Sequence, residues 1–236
     1  HEPVDFESVK TKIVRTDKYD PETNEEAVAL WKITLKDSDE RKVGRAIFNS
    51  VNELGLATIP GMFGVGGGGN ARPFGVHWPA LIPSDLVPQH VIFREGKRTM
   101  VESHISTDSF TVDSVDEKFE KIDFGSTTKA PLGLITGARS GDKTGNANLG
   151  VFTRTEEAWI WLDNFLTTDK FQELLPETAD LKVDRHRLPK IYSLNFVVHG
   201  LLEEGVAAST RQDSQAKSFG EWLRARVVDL PERFIG

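Results

Sequence analysis

The sequence predicts an α+β protein with two lobes, the C-terminal one an open sheet with helices on one face. Strand-like and helix-like periodicities interleave along the chain, and each half carries its own set of both. A polar, charged stretch between about Asp113 and Lys129 separates the halves. We therefore predict a first domain over residues 1–125 and a second over residues 131–236.

The first half begins with a strand over Val9–Val14, and the alternation in residues 29–36 predicts a second strand. Asp37 and Ser38 are N-cap residue types, and apolar residues then recur at helical spacing until Gly55. This pattern predicts one amphipathic helix that follows the second strand.

Glycines and prolines interrupt residues 61–88, which predicts a long irregular connection. Its run of four glycines, residues 66–69, is typical of a flexible lid or tip. Residues 91–93 and 99–101 flank a Glu-Gly-Lys turn and predict a hairpin.

The second half opens with two short apolar runs, Leu132–Thr136 and Leu149–Thr153, which we interpret as strands on either side of a polar loop. Thr155 is the predicted cap of a helix. A second helix is predicted over Thr168–Leu175, and Pro176 ends it.

Four further elements complete the predicted second lobe. They are a strand over Val183–Leu188, an apolar stretch of helical length over Ile191–Leu202, a short strand over Val206–Arg211 and a helix from Ser214 to about Val228.

Composition restricts the function classes. The 236 residues carry a formal charge of −7, which argues against sequence-independent binding to nucleic acid. No apolar run approaches the roughly 18 residues of a membrane span, so we expect no membrane partner. The absence of Cys excludes disulfides and thiolate metal sites and favours a cytoplasmic protein. The chain begins with His1, which we interpret as a sign that it is part of something longer.

The densest polar segment is residues 139–148, which invites comparison with a phosphate-binding loop. Asp142 stands before Lys143 where that loop requires Gly, and a strand follows instead of a helix, so a nucleoside triphosphate site is disfavoured. Two interpretations remain open: a rigid turn in which Arg139 pairs with Asp142, or a loop that presents Arg139 and Lys143 to a carboxylate or phosphate ester.

His199 lies in an apolar run, so it is either a core histidine bonded to a backbone carbonyl or a general acid or base near Asp213. The six histidines form no pair at metal-ligand spacing, and we predict neither a metal nor a cofactor. A basic cluster between Lys182 and Lys190 includes Arg185, His186 and Arg187. It is either a solvated strand edge or a docking strip for an acidic partner or for the phosphates of coenzyme A.

Several segments resemble the acyclic terpene utilisation (AtuA-like) family. In the second half, the resemblance runs from about Leu132 to Arg226 and is to the C-terminal ferredoxin-fold domain of that family. The first half resembles the tail of the family's main domain. The residues that carry the resemblance are 57–61, 76–81, 139–143, 146–150, 195–200, Asp213 and Lys217.

This resemblance implies a role in the catabolism of branched or terpenoid acyl-CoA compounds, as the C-terminal part of a hydratase- or lyase-type enzyme. The alternative is a non-catalytic binding or oligomerisation module. Expected partners are an acyl-CoA or another anionic small molecule, a missing N-terminal portion or partner subunit, and further copies in a homo-oligomer. The candidate catalytic residues are His199, Asp213 and Lys217, and the candidate ligand-binding residues are Arg139, Ser140, Asp142, Lys143, Asn146 and Asn148.

Overall fold

The computed structural model describes residues 5–54, 61–66, 69–102 and 122–235. Antiparallel sheets and short helices alternate along these residues, as predicted for an α+β protein. Contacts divide the chain into two compact units. The first runs to Gly75 and includes Ala207–Gln212; the second comprises Val76–Val206 and the residues from Asp213 onward. Most of the stretch in which we predicted the domain boundary lies outside the described residues, so that boundary stays a prediction.

In the first unit, the two predicted strands, β1 (Ser8–Arg15) and β2 (Ala29–Lys36), pair with each other in antiparallel fashion. The segment Ala207–Gln212 belongs to the same unit because lysines of β2 donate to its carbonyl oxygens. Lys36 Nζ lies 2.6 Å from the Ala208 oxygen, and Lys32 Nζ lies 2.9 Å from that of Thr210. The predicted strand over Val206–Arg211 is therefore wrong, since those carbonyls bond side chains in place of a neighbouring strand.

Two helices stand where one was predicted: α1 (Glu40–Val43) and α2 (Arg45–Leu54). They are separated at Gly44, whose φ of −95° and ψ of −143° are not helical. Asp39 is the N-cap and accepts a hydrogen bond from the backbone N–H of Arg41. The predicted stop at Gly55 lies outside the described residues.

The described part of the connection over residues 61–88 is irregular, as predicted, except for a short 3-10 turn at Ser84–Leu86. Strands β3 (Gln89–Ile92) and β4 (Arg98–Val101) follow it and form the predicted hairpin.

The second unit is built on a four-stranded antiparallel sheet with the strand order β6-β7-β9-β8. A separate two-stranded pair joins β5 to β10. The strands are β5 (Thr127–Pro131), β6 (Gly137–Lys143), β7 (Asn146–Phe152), β8 (Val183–Leu188), β9 (Ser193–Val198) and β10 (Val227–Pro231); the helices are α3 (Glu156–Phe165), α4 (Thr168–Leu174) and α5 (Phe219–Arg224).

Helices pack on one face of this sheet, as predicted. Leu149 of β7 and Phe196 of β9 are fully buried on that face. The ring of Phe171 in α4 stacks on Phe196 with centroids 4.1 Å apart, and Phe219 of α5 meets Phe171 edge-on at 6.2 Å. Alternate residues of each strand point to the opposite side, which we call the outer face.

Three more predicted elements of the second half are wrong. Residues 139–148 form the β6–β7 hairpin instead of a loop, with a turn at Thr144 and Gly145. Ile191–Leu202 contains strand β9 instead of a helix, because its buried residues alternate with half-buried ones. The apolar run Leu132–Thr136 forms a 3-10 turn over Leu132–Leu134 instead of a strand.

The last predicted helix is shorter than expected. Helix α5 has six residues, and Val227 and Val228 lie in β10, where Val228 is buried opposite Ala130. Within the described ranges, no helix has the length and apolar character needed to span a bilayer.

Candidate functional site

The β6–β7 hairpin divides the predicted ligand-binding residues between the two faces of the sheet. Ser140 and Asp142 stand opposite Leu149 and Ala147, which are buried under the helices. The alternating residues lie on the outer face instead. These outer-face residues are Arg139, Lys143, Asn146 and Asn148.

Ser140 connects β6 to the start of α5. Its Oγ accepts a hydrogen bond from the backbone N–H of Gly220 at 2.8 Å and donates to the carbonyl oxygen of Lys217 at 3.3 Å. A Cβ at Gly220 would lie only 3.1 Å from the Cβ of Ala138, so glycine permits this close approach. The Ser140 hydroxyl therefore holds the fold together at this point.

Asp213 organises the turn that leads into α5. Its carboxylate accepts from the backbone N–H groups of Lys217 and Ser218, both at 2.8 Å, and from the Ser218 hydroxyl at 2.8 Å. A carboxylate that accepts this many hydrogen bonds is typical of a structural turn. Its position here fixes the backbone from which the Lys217 side chain extends.

Lys217 reaches around the edge of the sheet at β6. Its Nζ lies 3.9 Å from Asp142 Oδ1. The same atom lies 3.1 Å from the place that a Cβ on Gly141 would occupy. Because Gly141 pairs with Asn148 on the outer face, its missing side chain gives the Lys217 ammonium room there.

Three cationic side chains thus follow the edge strand β6; we call Arg139, Lys217 and Lys143 the cation row. Arg139 and Lys143 are two positions to either side of Gly141, about 7 Å along the strand in each direction. Both are exposed, and the Arg139 side chain has neither a hydrogen bond nor an ion pair within the described residues.

The proposed pairing of Arg139 with Asp142 is wrong. The two residues are three positions apart on one strand, which places their side chains on opposite faces. Asp142 has Lys217 as its nearby cation instead.

His199 bonds a carboxylate that the sequence did not indicate. Its Nε2 donates to Asp184 Oδ2 at 2.6 Å, and Lys182 Nζ lies 3.2 Å from the other oxygen of Asp184. The hydrogen bond from His199, followed by that from Lys182, lowers the pKa of Asp184. A carboxylate that accepts from Nε2 selects the tautomer in which Nδ1 can accept a proton.

The structure corrects the interpretation of His199 as a core histidine and the identity of its carboxylate partner, and its role as a general acid or base stays a prediction. The residue is half-exposed at the end of β9, so it is not a core histidine, and its ring pairs with Asp184 instead of Asp213. Its backbone N–H donates to the carbonyl oxygen of Lys182 and fixes it beside β8.

The cation row and the Asp184–His199 pair lie at the two ends of one line across the outer face. The strand register aligns Gly141, Asn148, Val197 and Asp184 in that order. Three strand spacings separate its ends, which is about 14 Å. At the centre, Asn148 and the neighbouring Asn195 exchange two side-chain hydrogen bonds of 2.9 and 3.0 Å.

Asn146 supports the histidine end of this line. Its Oδ1 accepts from the backbone N–H of Gly200 at 2.9 Å, directly after His199. The four outer-face residues of the hairpin and the predicted histidine therefore share one face, although they are more than 50 positions apart in sequence.

Sequence reasoning missed Asp184 and Asn195. The period of two along β8 places Asp184 and His186 on one face, and this was the available signal. Alternation does not reveal which strands pair, so it could not bring Asp184 to His199.

Two residues of the basic cluster differ from both interpretations, whereas Lys182, His186 and Lys190 are exposed. Arg185 and Arg187 point to the helix-packed side, where their Nη2 atoms lie 2.7 and 2.8 Å from the carboxylate of Asp163 in α3. The Asp163 side chain is only 10% exposed. These arginines fasten a helix to β8, and they form neither a solvated edge nor a docking strip.

The fold defines an α+β protein. Residues 130–229 match the AtuA ferredoxin-like domain, and residues 1–93 match the acyclic terpene utilisation family protein AtuA. Since the two matches together cover most of the sequence, the chain belongs to the AtuA-like family. Neither a curated protein nor a solved structure matches the chain. Membership of this family supports a role in terpene catabolism.

Proposed function

We propose that the chain is part of a hydratase- or lyase-type enzyme that acts on branched or terpenoid acyl-CoA compounds, with the outer face of the sheet as its contribution to the thioester site. The observation that carries the proposal is the line across this face. It joins the cation row at β6 to the Asp184–His199 pair at β8.

The cation row is the end that suits the phosphates of coenzyme A. Arg139 can offer a forked guanidinium to a phosphate, and it has no competing carboxylate within the described residues. Lys217 and Lys143 add point charges on either side of a glycine that permits close approach. Since the chain as a whole has a charge of −7, this positive row is a local feature.

The Asp184–His199 pair has the chemistry that the reacting part of the thioester requires. Hydration of an unsaturated thioester and the reverse elimination both require a group that takes up and returns a proton. His199 can do so at Nδ1 while Asp184 holds its Nε2 hydrogen. The flexible pantetheine arm of coenzyme A can span the distance of about 14 Å between the two ends.

Calorimetric titration with a branched acyl-CoA tests whether the cation row binds the phosphates of coenzyme A. We expect Arg139→Ala to weaken binding about 10- to 100-fold, the effect of losing a charge-assisted hydrogen bond, while the melting temperature stays unchanged. Lys129→Ala is the matched control, because Lys129 is an exposed cation on β5, away from the outer face. If both variants bind as wild type does, or if wild type does not bind the thioester, the proposal fails.

A second candidate function is a non-catalytic binding or oligomerisation module. It is favoured by the division of the predicted site residues, because Ser140 and Asp213 hold α5 in place and have their polar atoms bonded within the chain. In that case, Arg139→Ala should change the mass measured by sedimentation equilibrium and leave thioester binding unaffected. The enzyme proposal predicts the reverse.

A further inference from the structure

A second candidate binding site lies in the second unit, apart from the cation row. It is a solvent-open cavity of about 730 Å³, within the range of small-molecule sites. Its walls are the 3-10 turn after β5, the beginning of α3, the end of α5 and the segment after β10. Its lining includes neither the cation row nor Asp184 and His199.

We propose that this cavity binds a small organic anion, a carboxylate with a compact hydrocarbon body. The proposal goes beyond the function proposed above, because it adds a ligand site that the thioester chemistry does not require. It rests on the charges of the lining, on one arginine that has no partner and on two aromatic walls.

Positive charge exceeds negative charge in the lining. Three arginines, Arg154, Arg224 and Arg233, face one glutamate, Glu157, which is a formal surplus of two. Arg233 pairs with Glu157, so that carboxylate is already neutralised. An anion entering the cavity would therefore meet cations instead of a free carboxylate.

Arg224 is held in a fixed position, and its charge is already paired within the second unit. Its Nε donates to the carbonyl oxygen of Thr136 at 3.0 Å, and its Nη1 pairs with Glu221 at 2.6 Å. A Cβ at Gly133 would come within 3.0 Å of the Arg224 Cβ, so glycine lets the arginine lie against the turn.

Arg154 is the cation that remains available. It is exposed, and it has neither a hydrogen bond nor an ion pair within the described residues. It stands directly before the N-cap of α3, Thr155, on the same wall. A guanidinium without an internal partner can bind a carboxylate through two parallel hydrogen bonds.

The apolar walls of the cavity indicate that the ligand has a hydrocarbon body in addition to its carboxylate. The Phe152 ring lies against Gly137, where a Cβ would come within 2.3 Å of its ring carbons. Phe234 forms the other wall, with its ring centroid 6.4 Å from that of the buried Trp161. Phe152 nevertheless keeps 42% of its surface exposed, and the neighbouring Leu134 keeps 60%. A hydrocarbon body would cover this apolar surface, and a bare phosphate ion would not.

Calorimetry with valproate, a branched carboxylate, tests the proposal on the full chain at low salt. Its amide, valpromide, has the same shape without the charge, and inorganic phosphate has the charge without the hydrocarbon. We expect valproate to bind at least tenfold more tightly than either probe. Arg154→Gln should weaken valproate at least tenfold and leave valpromide unchanged, and Arg154→Lys should restore part of the loss.

Arg139→Gln is the matched control, since Arg139 is also exposed and unpaired among the described residues but lies in the cation row. It should bind valproate as wild type does. Absence of valproate binding, equal binding of valproate and phosphate, or an unchanged affinity in Arg154→Gln would each overturn the proposal. Because acyl-CoA titration of Arg139→Ala tests the proposed function, failure of one proposal is distinguishable from failure of the other.

Discussion

Asn148 and Asn195 form a closed pair in which each side-chain amide donates to the carbonyl oxygen of the other, at 2.9 and 3.0 Å. The two residues are on neighbouring strands, β7 and β9, and both are half-buried. Because each satisfies the other, the pair fixes the register of the strands at the centre of the outer face.

A double-mutant cycle on this pair should show coupling. We expect Asn148→Ala to lower the free energy of unfolding by about 1 kcal/mol, because Asn195 loses both of its side-chain hydrogen bonds. Asn195→Ala should cost a similar amount, and the double variant less than the two costs added together. Urea unfolding measures all three. Strictly additive losses would mean that the two amides act independently.

Substitution of Asp163 should lower the free energy of unfolding more than substitution of most other charged residues of the second unit. Its nearly buried carboxylate pairs with Arg185 and Arg187, and Asp163→Ala would leave both guanidiniums without their anion. We expect a loss of about 3 kcal/mol by urea unfolding. The control is Asp229→Ala, which breaks an exposed pair with Lys129 and should cost less than about 1 kcal/mol. Equal losses would refute this ranking.

Gly145 and Gly150 should respond differently to alanine. A Cβ at Gly145 would lie 2.3 Å from the backbone oxygen of Glu203, so the hairpin turn must shift and about 1–3 kcal/mol of stability is lost. At Gly150, the nearest atoms would be at ordinary contact distances of 3.7 and 3.8 Å, and we expect a change within about 0.5 kcal/mol. Thermal unfolding of both variants checks the contrast.

The pKa of Asp184 should respond to His199. The folded protein lowers this pKa below its ordinary value of 3.8, chiefly through the hydrogen bond from His199. The ionised carboxylate therefore stabilises the fold above its unfolded-state pKa, and this contribution is lost as the pH falls through the lower, folded-state pKa.

His199→Ala should raise the pKa of Asp184 toward its ordinary value, as followed by carbon NMR of the carboxyl group. Lys182→Ala removes the second cause and should produce a smaller shift in the same direction. An unchanged titration in His199→Ala would contradict the observed pairing.

We expect this chain alone not to turn over acyl-CoA at a typical enzymatic rate, because we propose that it is only part of a hydratase- or lyase-type enzyme. A steady-state assay with branched acyl-CoA substrates measures this. A kcat near the usual ~10 per second would show that the chain contains a complete site.

Local sequence signals were sufficient where one element carries its own evidence. Thr155 accepts from the N–H of Ala158 as the predicted cap of α3, and β2 has the predicted bounds. Local sequence signals failed to predict elements whose structure depends on which strands pair. The β6–β7 hairpin contains Gly141 and Gly150, which are depleted in strands, so its composition resembles a loop.

The candidate site shows the same division. Arg139, Lys143, Asn148 and His199 were selected from sequence, and all four lie on the outer face. The partner of His199 could not be predicted, because Asp184 reaches it only through the register of β8 on β9. Asp213 was selected instead, and its oxygens bond the backbone at the start of α5.

The first unit takes two of its hydrogen-bond acceptors, on Ala208 and Thr210, from more than 170 positions beyond the strand that donates to them. During synthesis, that strand leaves the ribosome long before either acceptor does, at rates of about 5–20 residues per second. The hydrogen bonds from Lys32 and Lys36 to these two carbonyls therefore cannot form for many seconds. Strands β6–β9 all emerge in that time. The first unit is thus completed only after most of the sheet of the second unit has been translated.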